Sequence, residues 1–215
     1  MLCLEVPTDA GWVEAAMSDV DAVLVDHAHC EMKAASNALS LAARHPGDLE
    51  LVRALTDLAR EEIEHFQRVL RLLEERGVAL GAPPVDAYAA DLRRAANALP
   101  RDPGPSASLV DRLLVGALIE ARSCERFKLL AEATAPSLAG GAGAQGMEAM
   151  HALWSELLAA EARHYRTFVD LATRAAGGDK ARVAARLEAI ARAEGAIVAG
   201  LARDGAGASR ATIHG

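Results

Sequence analysis

Two short segments carry a glutamate and a histidine three residues apart: Glu62 and His65 in AREEIEHF, and Glu161 and His164 in AAEARHYR. On an α-helix, residues i and i+3 share a face, so each pair can bring a carboxylate oxygen and an imidazole nitrogen to one point. Each pair follows another helical segment in which a glutamate stands among small or apolar residues, Glu31 in HCEMKAAS and Glu125 in SCERFKLL. One Glu from each of two helices, with Glu-x-x-His from each of two others, is a donor set that holds two metal ions inside a four-helix bundle. Four carboxylates and two imidazoles buried together demand compensating positive charge, because an isolated carboxylate is costly to remove from water. Mixed oxygen and nitrogen ligation suits iron or manganese better than the thiol-loving metals.

The donor on the third long helix has an alternative. Glu125 continues the stripe of Leu114, Leu118, Ala121 and Leu129, whereas Glu120 continues Leu113, Ala117, Cys124 and Phe127. Five residues apart, the two cannot share a helical face well. A faint internal repeat favours Glu125, since Cys30-Glu31 matches Cys124-Glu125 just as Glu62-x-x-His65 matches Glu161-x-x-His164. Glu120 stands as the alternative ligand or as a supporting group. His27, one turn before Glu31, is a candidate support for the ligands; Asp26, Arg122 and Arg126 could hold ligand carboxylates or imidazole N–H groups. His29 points elsewhere and reads as a cap or surface residue, and Glu61 and Glu64 as solvent-facing.

The elements that must position these residues are long amphipathic helices. The first runs from about Ser18 to Arg44, with Val20, Val23, Leu24, Ala34, Ala35, Ala38 and Leu41 at three-to-four spacing, and His45-Pro46-Gly47 ends it. The second starts at the N-cap candidate Asp48 and runs to about Arg76, where Gly77 can take the left-handed C′ position. A connection over 77–105 follows, with a short helix from Val85 to Leu99. The third long helix spans Ser106 to Thr134, and APSLAGGAGAQG (Ala135–Gly146) is a flexible break. The fourth runs from Met147 to about Ala176, closed by Gly177-Gly178, and a fifth from Asp179 to Ala202. Residues 1–16 are a lead-in with one helical turn, where Asp9 caps and Trp12 packs inward. The expected fold is all-α, a ferritin-like four-helix bundle with a long crossover, a short helix in that crossover and a C-terminal fifth helix. Residues 1–202 are expected to form one domain and 203–215 a disordered tail.

Composition supports helices over sheet: hydrophobic residues make up 52% but aromatics only 3%, so the core is built from Ala, Leu and Val. No apolar run reaches the roughly 20 residues of a membrane span. The first residues, MLCLEVPTDAGW, lack a basic stretch followed by an apolar one and do not read as a secretory signal. Three scattered cysteines build neither a disulfide framework nor a Cys-based zinc site, which points to the cytoplasm. The formal charge of −7 argues against a general nucleic-acid binder. From Ala162 onward, however, nine Arg or Lys stand against five Asp or Glu, which permits a local basic face.

At these residues the chain resembles the MiaE family of tRNA hydroxylases. The segments are DHAHCEMKAAS (Asp26–Ser36), LAREEIEHFQRV (Leu58–Val69), GALIEARSCERF (Gly116–Phe127) and SELLAAEARHYRTF (Ser155–Phe168), and the similarity runs from Trp12 to about Ala176. IEARSCERF is far more specific than a bare Glu-x-x-His. The resemblance implies a non-haem diiron monooxygenase with two Fe ions, held by the catalytic residues Glu31, Glu62, His65, Glu125, Glu161 and His164. Such an enzyme uses O2 and two electrons from an external electron donor, a separate reductase or ferredoxin-type protein. It hydroxylates the isopentenyl side chain of 2-methylthio-isopentenyladenosine. The implied partner is a tRNA anticodon loop carrying that prenylated adenosine, whose unpaired bases need little extrusion. The prenyl group would enter an apolar pocket near Phe66, Phe127 and Leu118. Candidates for substrate contact through phosphate are Arg93, Arg94, Arg163 and Arg166, with Lys180, Arg182 and Arg186 behind them. The protein is expected to act without a membrane, as a monomer or small homo-oligomer. The rival reading is a ferritin-like ferroxidase or a peroxide-handling dimetal protein, which would use the same six ligands without a nucleic-acid substrate.

Overall fold

The computed structural model describes residues 2–83, 87–100, 102–135, 144–203 and 213. Among the described residues every regular element is an α-helix: α1 (Gly11–Ser18), α2 (Val20–Arg44), α3 (Leu49–Glu75), α4 (Tyr88–Ala98), α5 (Ala107–Ala133), α6 (Ala144–Ala175) and α7 (Lys180–Arg203). The helices form two compact units, α2 with α3 in one and α1 with α4 to α7 in the other.

The α2–α3 unit is a helical hairpin whose ends are set by local chemistry. The Asp19 carboxylate accepts from the Ala22 N–H and starts α2, and the Asp48 carboxylate accepts from the Leu51 N–H and starts α3. Only 45–48 separate the two helices, and such a short link leaves them antiparallel neighbours. At the end of α3, Gly77 adopts φ +68, so the Val78 N–H reaches the Leu73 carbonyl and the Gly77 N–H that of Glu74. That is a Schellman cap, which glycine enters without the steric penalty of a Cβ. The small residues Ala28, Ala35 and Ala38 of α2 and the leucines Leu51, Leu55, Leu58 and Leu73 of α3 are buried, and the two helices pack on each other.

In the other unit α5 is central, packing against α1, α4, α6 and α7. Its buried residues include Leu113, Val115, Ala117, Leu118, Ala121, Arg126, Phe127 and Leu130, which together go right round the helix. Phe127 stacks on Trp154 of α6 at 5.8 Å between centroids and 14° between planes. Gly177, at φ +75, closes α6 with the same cap seen on α3. The lead-in is longer than the single turn expected: α1 has eight residues. The Asp9 carboxylate accepts from the Gly11 N–H, and Trp12 is buried beneath the Arg126 guanidinium, 5.0 Å from its ring centroid.

The expected break at 135–146 and the expected start of the short helix at Val85 fall largely or wholly outside the described residues. So does the expected tail, apart from Arg203, which ends α7, and Ile213. Ile213 is buried and donates its N–H to Asp26 Oδ2 at 2.6 Å.

Candidate metal centre

In the α2–α3 unit, Glu31, Glu62 and His65 each offer a donor atom within 4.8 Å of the others. Glu62 and His65 are brought together by one helical turn of α3, and Glu31 arrives from α2 because the two helices pack. His65 Nδ1 lies 3.6 Å from Glu62 Oε2 and 3.7 Å from Glu31 Oε1. Both glutamates are almost fully buried and His65 nearly so. Burial pulls the His65 pKa down, but contacts with the Glu31 and Glu62 carboxylates outweigh it and push it up to about 10. The pocket thus holds a proton on His65 more tightly than an imidazole in water holds one. His27, one turn before Glu31, is buried too, with Nε2 2.9 Å from Glu31 Oε1.

In the other unit, Glu120 of α5 lies with Glu161 and His164 of α6, again with donor atoms within 4.8 Å of one another. His164 Nδ1 stands 3.4 Å from Glu161 Oε2, one turn away on the same helix. All three are buried. Burial, with the negative charge of Glu161 adding to it, drives the Cys124 thiol up to about 12, so Cys124 is a protonated, unreactive packing residue here.

The expectation for α5 is corrected in placement: Glu120, not Glu125, joins the pair from α6. Glu125 turns to the opposite side, where its Oε2 accepts from the Thr8 hydroxyl at 2.7 Å, the Thr8 N–H at 3.2 Å and the Arg122 guanidinium. Five residues on a 3.6-residue helix rotate a side chain well away from its starting face, so only one of the two can face α6. Both stripes of α5 are apolar because both are covered, so periodicity could not separate them. The Cys-Glu dipeptides match in sequence but not in role.

Arg122, expected near a ligand, instead joins Glu194 of α7, with Nη2–Oε1 2.7 Å and Nε–Oε1 3.0 Å, both side chains fully buried. The Tyr88 hydroxyl donates to the same oxygen at 2.9 Å, and Arg122 also donates to the Val6 carbonyl and the Thr8 hydroxyl. Sequence reasoning misses Glu194, although its signal is there: it falls in the α7 stripe between Ile190, Ala191, Ile197 and Val198. Asp26 binds the Ile213 N–H, and Arg126 covers Trp12. His29 is buried, not a surface group, with Nε2 3.3 Å from the Leu80 carbonyl. Glu64 is exposed as expected, beside Arg60.

Of the basic candidates, Arg93 and Arg94 are exposed on α4, and Arg163 and Arg166 on α6. Arg94 pairs with Asp91 of its own helix. Arg182 and Arg186 are committed elsewhere: Arg182 binds Asp102 and the Pro105 carbonyl, and Arg186 binds Asp111 and the Pro100 and Ala96 carbonyls. The Asp102 carboxyl is held below its ordinary range by the Arg182 contact. No helix among the described residues is long and apolar enough to cross a membrane.

Three comparisons bear on this geometry. The family model described as tRNA-(MS[2]IO[6]A)-hydroxylase (MiaE) matches residues 1–206. A tRNA 2-(methylsulfanyl)-N(6)-isopentenyladenosine(37) hydroxylase of Pseudomonas putida is 43% identical over 188 residues, covering 87% of this chain and 82% of its own. The hydroxylase of the same name from Salmonella typhimurium is 25% identical over 91% of this chain and 83% of its own. Among solved structures, "Protein 43 with aldehyde deformylating oxygenase activity from Synechococcus" matches with a TM-score of 0.75 and 39% identity, over 90% of this chain and 88% of that one. The fold class is thereby all-α and ferritin-like.

Proposed function

Because the chain belongs to the MiaE family, we propose that it is a non-haem diiron monooxygenase that hydroxylates the isopentenyl side chain of 2-methylthio-isopentenyladenosine in tRNA. The observation that carries this reading is the burial, in a chain of that family, of two triads, each of two carboxylates and one imidazole. The donor set fits iron: hard carboxylate oxygens and imidazole nitrogens, with no thiolate among them. The six residues we assign to the two irons are Glu31, Glu62, His65, Glu120, Glu161 and His164, with Glu120 in place of Glu125. Four carboxylates against two divalent ions leave the buried ensemble neutral, which removes the cost of burying them.

When bound, two irons supply O2 activation, with two electrons drawn from a separate reductase or ferredoxin-type donor. One oxygen atom enters a C–H bond of the prenyl group; the other leaves as water with two protons and the two electrons. The chain's own residues do the rest. His65 and His164 must present deprotonated Nδ1 atoms, so His65 gives up the proton that Glu31 and Glu62 otherwise hold on it. The buried apolar residues on the Glu120 stripe of α5, Leu113, Ala117 and Phe127, keep water from that side and suit a prenyl group better than a charged one. Exposed Arg93, Arg94, Arg163 and Arg166 are the proposed contacts to anticodon-loop phosphates. The proposed place of action is the cytoplasm, as a monomer or small homo-oligomer.

A second reading has one observation in its favour: the solved structure 39% identical to this chain is named for aldehyde deformylating oxygenase activity. The test is to load purified protein with Fe(II), supply O2, a chemical reductant and tRNA bearing the prenylated adenosine, and analyse the nucleosides by mass spectrometry. Two irons per chain and one added oxygen on that nucleoside are expected. Turnover of an aldehyde but not of tRNA favours the second reading. Two irons without either product points to iron or peroxide handling, and a chain that takes up no metal overturns the assignment.

A further inference from the structure

On α2, His27 stands one turn before Glu31, and its Nε2 is 2.9 Å from Glu31 Oε1, with both side chains 2% exposed. The same oxygen faces His65 Nδ1 of α3 at 3.7 Å. A single carboxylate oxygen is thus approached by imidazole nitrogens from two helices. The stripe His27 occupies is otherwise made of Val23, Leu24, Ala35, Ala38 and Leu41, so packing alone would be served by an apolar residue.

The other triad is built differently at the matching position. One turn before Glu120 is Gly116, which has no side chain to offer. The space of a Cβ there is taken by the Phe168 ring, whose carbons would lie 3.0–3.2 Å away. Phe168 in turn sits one turn after His164 on α6. An imidazole therefore precedes one glutamate, and an aromatic ring packs on the turn preceding the other.

We propose that His27 is a positioning residue, bracing Glu31 through Oε1 and making the two metal positions of the proposed centre unlike. This rests on the dimetal reading above and goes beyond it, because that reading asks only for six donors. Groups that orient a metal-ligating carboxylate change affinity without touching the ion. His27 holds Glu31 in one orientation and thereby sets the strength of the metal position that Glu31 serves. The turn before Glu120 cannot do the same for the other.

The test is a Co(II) titration of the metal-free chain, followed by absorption spectroscopy, in the wild type, His27→Phe and His27→Gln. Phenylalanine keeps the ring and removes the nitrogen; glutamine restores an N–H at similar reach. His27→Phe should keep wild-type helicity and still take up two Co(II), one of them roughly 10- to 100-fold more weakly. Its Co(II) bands should shift, and His27→Gln should recover most of both effects. Should His27→Phe fail to fold, His27→Ala, which opens space rather than filling it, is expected to give the same weakened step. Two wild-type binding steps and an unchanged spectrum in the Phe or Ala variant would sink the proposal. Complete loss of one Co(II), unrecovered by glutamine, would replace it by a direct ligand role for His27. A wild-type chain that binds no Co(II) overturns the dimetal reading and this proposal with it, an outcome distinct from both others.

Discussion

At Glu31, Glu62 and His65 the folded chain holds an imidazolium between two buried carboxylates, and this has a pH signature. The His65 pKa rises from its ordinary 6.5 to about 10. A raised folded-state pKa means that the metal-free protein gains stability fully below pH 6.5 and loses it as the pH climbs through 10. The difference in unfolding free energy between wild type and His65→Gln, both metal-free, should therefore shrink over that window; a constant difference would exclude the protonated triad. Metal uptake near neutral pH must expel the same proton. Calorimetric metal titrations in buffers of different ionisation enthalpy should show proton release that His65→Gln reduces. The two glutamates of α5 separate just as cleanly. Glu120→Gln should lose metal while keeping its fold. Glu125→Gln should keep metal but lose about 1–3 kcal/mol of stability, since Arg122 and Thr8 are deprived of a charged acceptor. Metal analysis beside thermal melts decides between them.

At the scale of elements, one contact that ties α7 and α4 to α5 is a buried charge pair. Arg122 and Glu194 are both wholly enclosed, and the Tyr88 hydroxyl shares Glu194 Oε1. Burial, with the Glu194 charge beside it, keeps the Tyr88 hydroxyl well above its ordinary pKa, so it remains a donor. Removing one member strands the other in a low-dielectric interior. Glu194→Met or Arg122→Met should each cost about 3–5 kcal/mol in denaturant unfolding, and the double substitution should recover much of that loss. If the double variant instead shows the sum of the two single losses, the pair is not acting as a unit. The long helices themselves rest on more local devices, the Asp19 and Asp48 caps and the glycine closures at Gly77 and Gly177.

For the molecule as a whole, the proposed action on tRNA requires a chain of net charge −7 to gather its phosphate-binding groups locally. Arg93 and Arg94 are exposed on α4, so changing both to Glu should weaken tRNA binding. Every phosphate that an arginine no longer neutralises should make the salt dependence shallower by a slope of about 1. Turnover of the free modified nucleoside should be spared, because the triads lie on other helices. Equal loss on tRNA and nucleoside, measured side by side, would remove these arginines from the substrate surface.

The sequence by itself determined what the helical repeat controls. Glu62 with His65 and Glu161 with His164 face one way because they are one turn apart, wherever their helices pack. Asp48, Gly77 and Gly177 mark helix ends by chemistry confined to a few residues, and those ends were legible for the same reason. Only the tertiary structure decided between Glu120 and Glu125. From Leu113 to Phe127 α5 has no exposed residue, and the Glu120 and Glu125 stripes are both apolar, so neither announces its neighbour. What covers the Glu125 face comes from far along the chain: Thr8, 117 residues away, and, through Arg122, Glu194, 72 residues from it. Those distances lie beyond any periodicity. Packing turns the carboxylate of Glu125 toward Arg122 and leaves that of Glu120 to Glu161 and His164.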